Sequence, residues 1–446
     1  MKKIHFLGIG GIGMSALARW AIYNGYLVSG YDHEKSKLTD KLVNEGIAIF
    51  FNHNYIDNLI LNDFADLIVY SSAFKFDHPI LNFFTKQNFP VFKRADFLSQ
   101  IASSYNVIAI SGTHGKTTIS CMLSHILKYS GIDCNAFLGG ISKNYNTNIL
   151  IGDSKLMIIE ADEYDRSFLS LNPFIGLISS VDRDHVDTYN TYEDMVFAYN
   201  TFFKKCKKTI IHVGIRKKLQ ISKDSNNIFY SFSNENILGY SLKKNHNISH
   251  TNFSVMKNNE SLFSLEFPNI TKYNIENFLA AISIALELNV QYDNIIDSIK
   301  SFKGVCRRFE YHIKNNNLTL IEDYAHHPVE LRNLIENVNF LHPQKKITLI
   351  FQPHLFSRTK DFLNEFASIL SGVDRLILLD IYAARESPMD DFSINDLFSR
   401  INLSNKILLD QKDICKYLLD FDCDLIVVAG AGDICNIIPN LKNHFS

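Results

Sequence analysis

Val107-Ile108-Ala109-Ile110-Ser111-Gly112-Thr113-His114-Gly115-Lys116-Thr117-Thr118 reads as a buried strand that runs into a glycine turn. From Ile119 to Tyr129 the apolar spacing becomes helical. Such a turn lets backbone N–H groups approach phosphate oxygens, Lys116 adds a positive charge, and the helix aims its positive end at the anion. The Thr117 hydroxyl suits a magnesium ion beside those phosphates. The pattern G-x-x-x-x-G-K-[ST] is incomplete, since Ile110 stands at its first glycine, and a tight turn capped by threonine is the plain alternative. A strand before and a helix after favour phosphate, so Gly112, Thr113, His114, Gly115, Lys116, Thr117 and Thr118 form an expected ATP loop.

Upstream, Ile4 to Ile9 is apolar, Gly8-Ile9-Gly10-Gly11-Ile12-Gly13 matches G-x-G-x-x-G, and Met14 to Tyr23 has helical spacing. Leu27 to Asp32 and Leu67 to Ser71 are further candidate strands, so the first hundred or so residues read as a doubly wound, mostly parallel sheet. Asp32 lies at the offset of a ribose-binding acid, which taken alone argues for NAD. The same turn serves the pyrophosphate of a UDP-sugar, or packs strand against helix with no ligand.

Downstream, strands are expected at Leu156 to Glu160, Ile175 to Val181 and Thr209 to Val213, with weaker periodicity from Ser222 to Asn259 and a helix from Ile275 to Leu288 closing the domain. Glu160-Ala161-Asp162-Glu163 and Asp182, Asp184 and His185 stand at strand ends, where carboxylates hold magnesium or simply face water. Beyond Gly304, the apolar runs Leu318 to Ile321, Ile347 to Phe351, Leu376 to Leu379 and Leu425 to Ala429 form a third α/β unit. Asp323-Tyr324-Ala325-His326-His327-Pro328, Gln352 to Thr359 and, more weakly, Tyr382 to Glu386 follow strands there, and their His and Arg side chains suit an anion.

At 446 residues, and about 150 residues per domain, the chain has room for three domains. The expected division is 1–103, 104–303 and 304–446: a Rossmann-like domain, a central P-loop-type ATPase α/β domain and a second Rossmann-like domain. A net charge of -2 gives no global pull toward nucleic acid or membrane. No apolar run reaches about 18 residues. Seven cysteines without a CxxC pair fit a reduced, cytoplasmic chain.

Together these motifs resemble the muramyl ligases, the ATP-dependent amide-forming ligases of peptidoglycan precursor synthesis. The similarity runs in order through Gly8 to Met14, Ser111 to Thr118, Glu160 to Asp165, Asp184-His185, Asn274 to Ala281, Gly304 to Phe309, Asp323 to Pro328 and Gln352 to Thr359. It implies that the first domain holds UDP-N-acetylmuramate, with Gly10, Gly11, Ile12 and Gly13 at the pyrophosphate and Asp32, Ser71 and Ser72 near the uridine. Lys116 would contact ATP phosphates, Thr117 and Glu160 one Mg2+ ion, and His185 a second. Asn274 and Asn277 match the family's adenine-side motif, Arg308 its phosphate-side arginine and Asp323 its ribose contact. His326, His354 and Arg358 would surround the substrate carboxylate and the incoming L-alanine, giving Lys116, Glu160, His185, His354 and Arg358 the catalytic roles.

Two departures bear on that reading. Tyr273 stands where relatives often carry His, and residues 186 to 203 contain no lysine, whereas ligases for later amino acids carbamylate one there. The alanine-adding branch is therefore expected, as a monomer or weak homodimer. The alternative within the family is the recycling branch that attaches a whole murein tripeptide, whose first glycine turn usually reads differently. An NAD oxidoreductase leaves the loop at Lys116 without a task, and a nucleotide switch leaves the first and third units without one.

Overall fold

Three sheets follow one another along the chain. The computed structural model describes residues 2–445 apart from 60–63, 76, 184–187, 222–225, 233–236, 246–251, 268–270 and 385. Two compact units emerge, residues 1–268 with 275–304, and residues 305–446 with 269–274. The first unit carries two of the sheets and the second unit carries the third.

The first sheet consists of β1 (Lys3–Leu7), β2 (Leu27–Tyr31), β3 (Ala48–Phe50), β4 (Leu67–Tyr70) and β5 (Val91–Lys93) in the order β3-β2-β1-β4-β5. All its pairs are parallel. Strand periodicity sends Ile4 and Phe6 into the core shared with Met14 and Leu17 of the helix Ile12–Tyr23, and Leu7 into the opposite core with Ile80 and Phe84. Both faces are covered, so Ile4 to Leu7 are all buried, His5 among them. The chain leaves β1 for β2 on one side and later returns to β4 on the other. That reversal opens a crevice at the strand ends.

The second sheet has the order β15-β14-β13-β12-β11-β10-β6-β9-β7-β8. Its strands are β6 (Asn106–Ser111), β7 (Asn135–Ser142), β8 (Thr147–Leu150), β9 (Leu156–Glu160), β10 (Ile175–Ile178), β11 (Lys208–His212), β12 (Asn227–Ser231), β13 (Gly239–Lys244), β14 (Asn252–Lys257) and β15 (Glu260–Glu266). The middle is parallel, and both margins end in antiparallel pairs. β6 sits between β9 and β10, so its glycine loop opens where the two neighbouring strands also end. The hairpin β7–β8 is unforeseen from sequence, because Gly139-Gly140 breaks its alternation. A further helix, Tyr292–Ser301, follows the helix Lys272–Glu287, so the latter does not close the domain as expected.

The third sheet is β16 (Glu310–Lys314), β17 (Thr319–Asp323), β18 (Ile347–Phe351), β19 (Arg375–Leu378), β20 (Lys406–Leu408) and β21 (Leu425–Ala429), ordered β16-β17-β21-β18-β19-β20. It is parallel except for β16. β16 had no apolar signature, since as an edge strand it carries Glu310 and His312. All seven cysteines are free thiols. Among the described residues no helix is long and apolar enough to cross a membrane.

Candidate functional site

The loop after β6 depends on two left-handed glycines, Gly112 at φ 129° and Gly115 at φ 84°. A Cβ on Gly112 would lie 2.1 Å from Ser179 Oγ, so a side chain there would collide as well as strain the backbone. The loop is tied down from β10: Ser180 Oγ accepts from His114 N at 2.9 Å and lies 2.9 Å from Thr113 Oγ1, while Ser179 Oγ donates to the His114 carbonyl at 2.6 Å. The helix Lys116–Tyr129 starts immediately after it. Thr118 is in its first turn, where N–H groups lack helical acceptors.

Lys116 points back over its own loop. Its Nζ donates to the Gly112 carbonyl at 2.9 Å and to Glu163 Oε1 and Oε2 at 2.9 and 2.8 Å. Asp162 lies 3.8 Å away. Burial opposes the ammonium charge, but Glu163, Asp162 and Glu160 outweigh it and hold the Lys116 pKa above the ordinary lysine value. The Glu163 carboxylate is itself wholly buried, and Tyr189 Oη donates to the Glu163 carbonyl at 2.7 Å. In sequence Glu163 belongs to a run of strand-end carboxylates suited to magnesium; in the fold its partner is Lys116, reached from the neighbouring strand.

Glu160, at the end of β9, accepts from Thr117 Oγ1 at 3.1 Å and from Gly139 N at 3.0 Å. A Cβ on Gly139 would stand 2.2 Å from Glu160 Oε2, so this glycine makes room for the carboxylate. Thr117 and Glu160 are thus brought together as two hard oxygen donors, a set that fits Mg2+. Asp182 N donates to Thr113 Oγ1 at 3.2 Å, and the Asp182 carboxylate accepts from Lys218 at 3.0 Å. Asp184 and His185 lie outside the described residues.

In the first sheet, the glycine turn, Asp32 and Ser71 gather at the adjacent ends of β1, β2 and β4. Gly10 N donates to Asp32 Oδ2 at 2.7 Å and Gly11 N to the Gly8 carbonyl at 3.1 Å. These two donors are therefore engaged within the turn. Ile12 and Gly13, the first residues of the helix Ile12–Tyr23, have N–H groups with no helical acceptor. Ser71 Oγ packs against Gly8, and Ser72 is exposed.

In the third sheet, Asp323 Oδ2 accepts from Phe309 N at 2.7 Å and Oδ1 from Ala325 N at 2.8 Å. Its carboxylate therefore staples two loops. Desolvation pushes its pKa up to about 6, against the pull of Arg308 and these N–H groups. Arg307 holds the Gly430 and Gly432 carbonyls at 2.7 and 3.0 Å, and Arg308 lies over the Tyr324 ring at 5.0 Å. The rings of His326 and His354 meet at 5.6 Å, and His354 stacks on Tyr382 at 5.7 Å. The buried Arg358 reaches His354 Nδ1 at 3.4 Å. Leu355 between them takes φ 72°, held by its N–H bond to the Tyr382 carbonyl at 2.9 Å. His326, His354 and Arg358 are thus one cluster, whereas Arg385 lies outside the described residues. Asn274 and Asn277 are one turn apart on the helix Lys272–Glu287, and Asn277 is buried.

Three family models match in succession: the Mur ligase family catalytic domain over residues 3–106, the Mur ligase middle domain over 110–285 and the Mur ligase glutamate ligase domain over 307–432. The chain is 38% identical to the UDP-N-acetylmuramate–L-alanine ligase of Cytophaga hutchinsonii, covering 99% of this chain and 96% of that one. It is also 38% identical to the enzyme of the same name from Porphyromonas gingivalis, covering 100% and 99%. The crystal structure of the UDP-N-acetylmuramate-alanine ligase of Thermotoga maritima superposes with a TM-score of 0.84 at 25% identity, covering 100% of this chain and 99% of that one. A murein peptide ligase of Psychrobacter arcticus shares the fold with a TM-score of 0.76 at 21% identity, covering 100% and 98%.

Proposed function

The chain belongs to the Mur ligase family, and from that premise we propose that it joins L-alanine to the lactyl carboxylate of UDP-N-acetylmuramate at the expense of ATP. The products beside the amide are ADP and phosphate. The observation that carries this reading is the largely covered Lys116 at a glycine loop, with Thr117 and Glu160 converging beside it, in a chain matched end to end by relatives that bear the alanine-ligase name.

A carboxylate resists attack by an amine because its carbonyl carbon is electron-rich and its leaving group is poor. Transfer of the ATP γ-phosphate to it gives an acyl phosphate, with phosphate as a good leaving group. We assign Lys116 to the transferring phosphoryl group, where a fixed positive charge is worth most in a dry site. Thr117 and Glu160 would hold Mg2+, which supplies charge neutralisation to the phosphates when bound. His185, Asn274, Asn277, Arg308 and Asp323 keep the roles that the family pattern gives them, on the metal, adenine, phosphate and ribose. The neutral amine of L-alanine then attacks the acyl carbon, and collapse of the tetrahedral oxyanion expels phosphate.

His354 and Arg358 suit the carboxylates of this second step: Arg358 offers a planar fork of donors, and its contact with His354 fixes the direction in which it points. The glycine turn of residues 1–103 is assigned to the sugar nucleotide, residues 104–303 to ATP and residues 304–446 to completing the site. Closure of the third domain on substrates would keep water from the acyl phosphate.

Lys116→Ala is expected to abolish L-alanine-dependent ADP release, by roughly a thousandfold or more in kcat, while UDP-N-acetylmuramate still binds in calorimetry. Undiminished turnover in that variant would remove the assignment.

A further inference from the structure

Arg94 opens the helix Arg94–Ala102 directly after β5. Its guanidinium lies against the glycine turn of the first sheet: a Cβ built on Gly13 would come within 2.8 Å of Nη1 and 3.5 Å of Cζ. The last glycine of a G-x-G-x-x-G turn ordinarily lets helix pack on strand. At Gly13 the space is taken by a cation.

That placement sets a cation beside the positive end of a helix. Gly13 lies in the first turn of the helix Ile12–Tyr23, at the positive end of its dipole and beside N–H groups that lack helical acceptors. The half-buried guanidinium has five donors, yet makes no hydrogen bond or ion pair among the described residues. It lines a small cavity together with Glu160 and Asp162 and pairs with neither. The neighbouring Lys93, by contrast, is paired with Asp165. A cation held against a helix N-terminus and left without a carboxylate calls for an anion from outside.

We propose that Arg94 is a substrate-binding residue that grips the diphosphate of the sugar nucleotide against the N–H groups of Ile12 and Gly13. This rests on the reading that the first domain holds UDP-N-acetylmuramate. A diphosphate suits the position better than the lactyl carboxylate, because it presents two charges and several acceptor oxygens to a fork of donors and a helix end at once. Gly13 then has a defined task, which is to leave room for the guanidinium. Arg94 escapes a reading of sequence because it lies at the far end of the first sheet's sequence from the turn it faces.

The test is equilibrium titration of the full-length protein with UDP, UDP-N-acetylmuramate, uridine and ADP. Arg94→Met should weaken UDP and UDP-N-acetylmuramate by roughly 10- to 100-fold and leave uridine and ADP within about twofold. Arg94→Lys, which keeps the charge but not the fork, should fall between, and Gly13→Ala should weaken UDP by displacing the guanidinium. Unchanged UDP affinity in Arg94→Met overturns the proposal while leaving the sugar-nucleotide reading intact, as does an equal loss for UDP and uridine. Failure of the unaltered protein to bind UDP-N-acetylmuramate overturns both.

Discussion

Single residues in this chain act through what surrounds them. Lys116 is legible in sequence as a candidate phosphate ligand, but its orientation comes from Glu163 and the Gly112 carbonyl, and that of Glu160 from the gap at Gly139. His5 is a plainer case. It is buried in the first sheet, with Nδ1 2.8 Å from Ser29 Oγ and Nε2 2.7 Å from Tyr55 Oη, among the rings of Phe50, Phe64 and Phe84. Burial lowers its pKa from 6.5 to about 3, so the fold keeps it neutral while the unfolded chain takes up a proton below pH 6.5. Stability is therefore lost as pH falls from about 6.5 toward 3. Melting curves across that range should show His5→Gln losing less stability on acidification than the unaltered protein, by several degrees in Tm. Identical pH dependence in the two would contradict the assignment.

Elements were legible where apolar runs were unbroken. β6, β9, β18 and β21 are central strands buried on both faces, so their sequences are nearly continuous apolar runs, and the candidate site loops follow directly from the ends of β6, β9 and β18. The edge pieces were not legible: β16 is polar because its His312 pairs with Glu310 and with Glu322 of the neighbouring strand, and the hairpin β7–β8 is interrupted by the glycines that admit Glu160. That hairpin also reaches the first sheet. Asn148 on β8 is fully buried, donates to the Ile12 carbonyl at 2.6 Å and to Ser15 Oγ at 2.9 Å, and accepts from Arg19 at 2.5 Å. Because Ile12 belongs to the glycine turn, Asn148 ties the turn to the strand pair that positions Glu160. Asn148→Ala leaves buried polar groups without their partner, at a cost of about 1–3 kcal/mol. A lower Tm together with a raised KM for UDP-N-acetylmuramate and an unchanged KM for ATP is the expected outcome in steady-state assays. A lower Tm with both KM values unchanged would reduce Asn148 to a packing role.

At the scale of the molecule, three sheets each present loops at strand ends, and the chemistry divides among them. In the proposed reading the turn at Gly8 to Gly13 and Arg94 would serve one anion, the loop at Lys116 another, and the cluster of His326, His354 and Arg358 a third. Sequence motifs point to each of these clusters because their glycines, hydroxyls and basic side chains stand close together in the chain. They did not locate Arg94 or Gly139, nor the pairing of Glu163 with Lys116, because these arise only where segments distant in sequence pack together. Nor does any one of the three groups define the reaction, since the lysine loop alone accounts for ATP use and the first turn alone for a nucleotide ligand.

The direct measurement is product formation by the purified protein given ATP, Mg2+ and UDP-N-acetylmuramate, with each amino acid and the murein tripeptide supplied in turn, followed by mass spectrometry and phosphate release. UDP-N-acetylmuramoyl-L-alanine should form with one phosphate released per amide, and L-alanine should give the highest kcat/KM of the panel. Preferred ligation of the tripeptide, or phosphate release without an amide product in the presence of L-alanine, would contradict it.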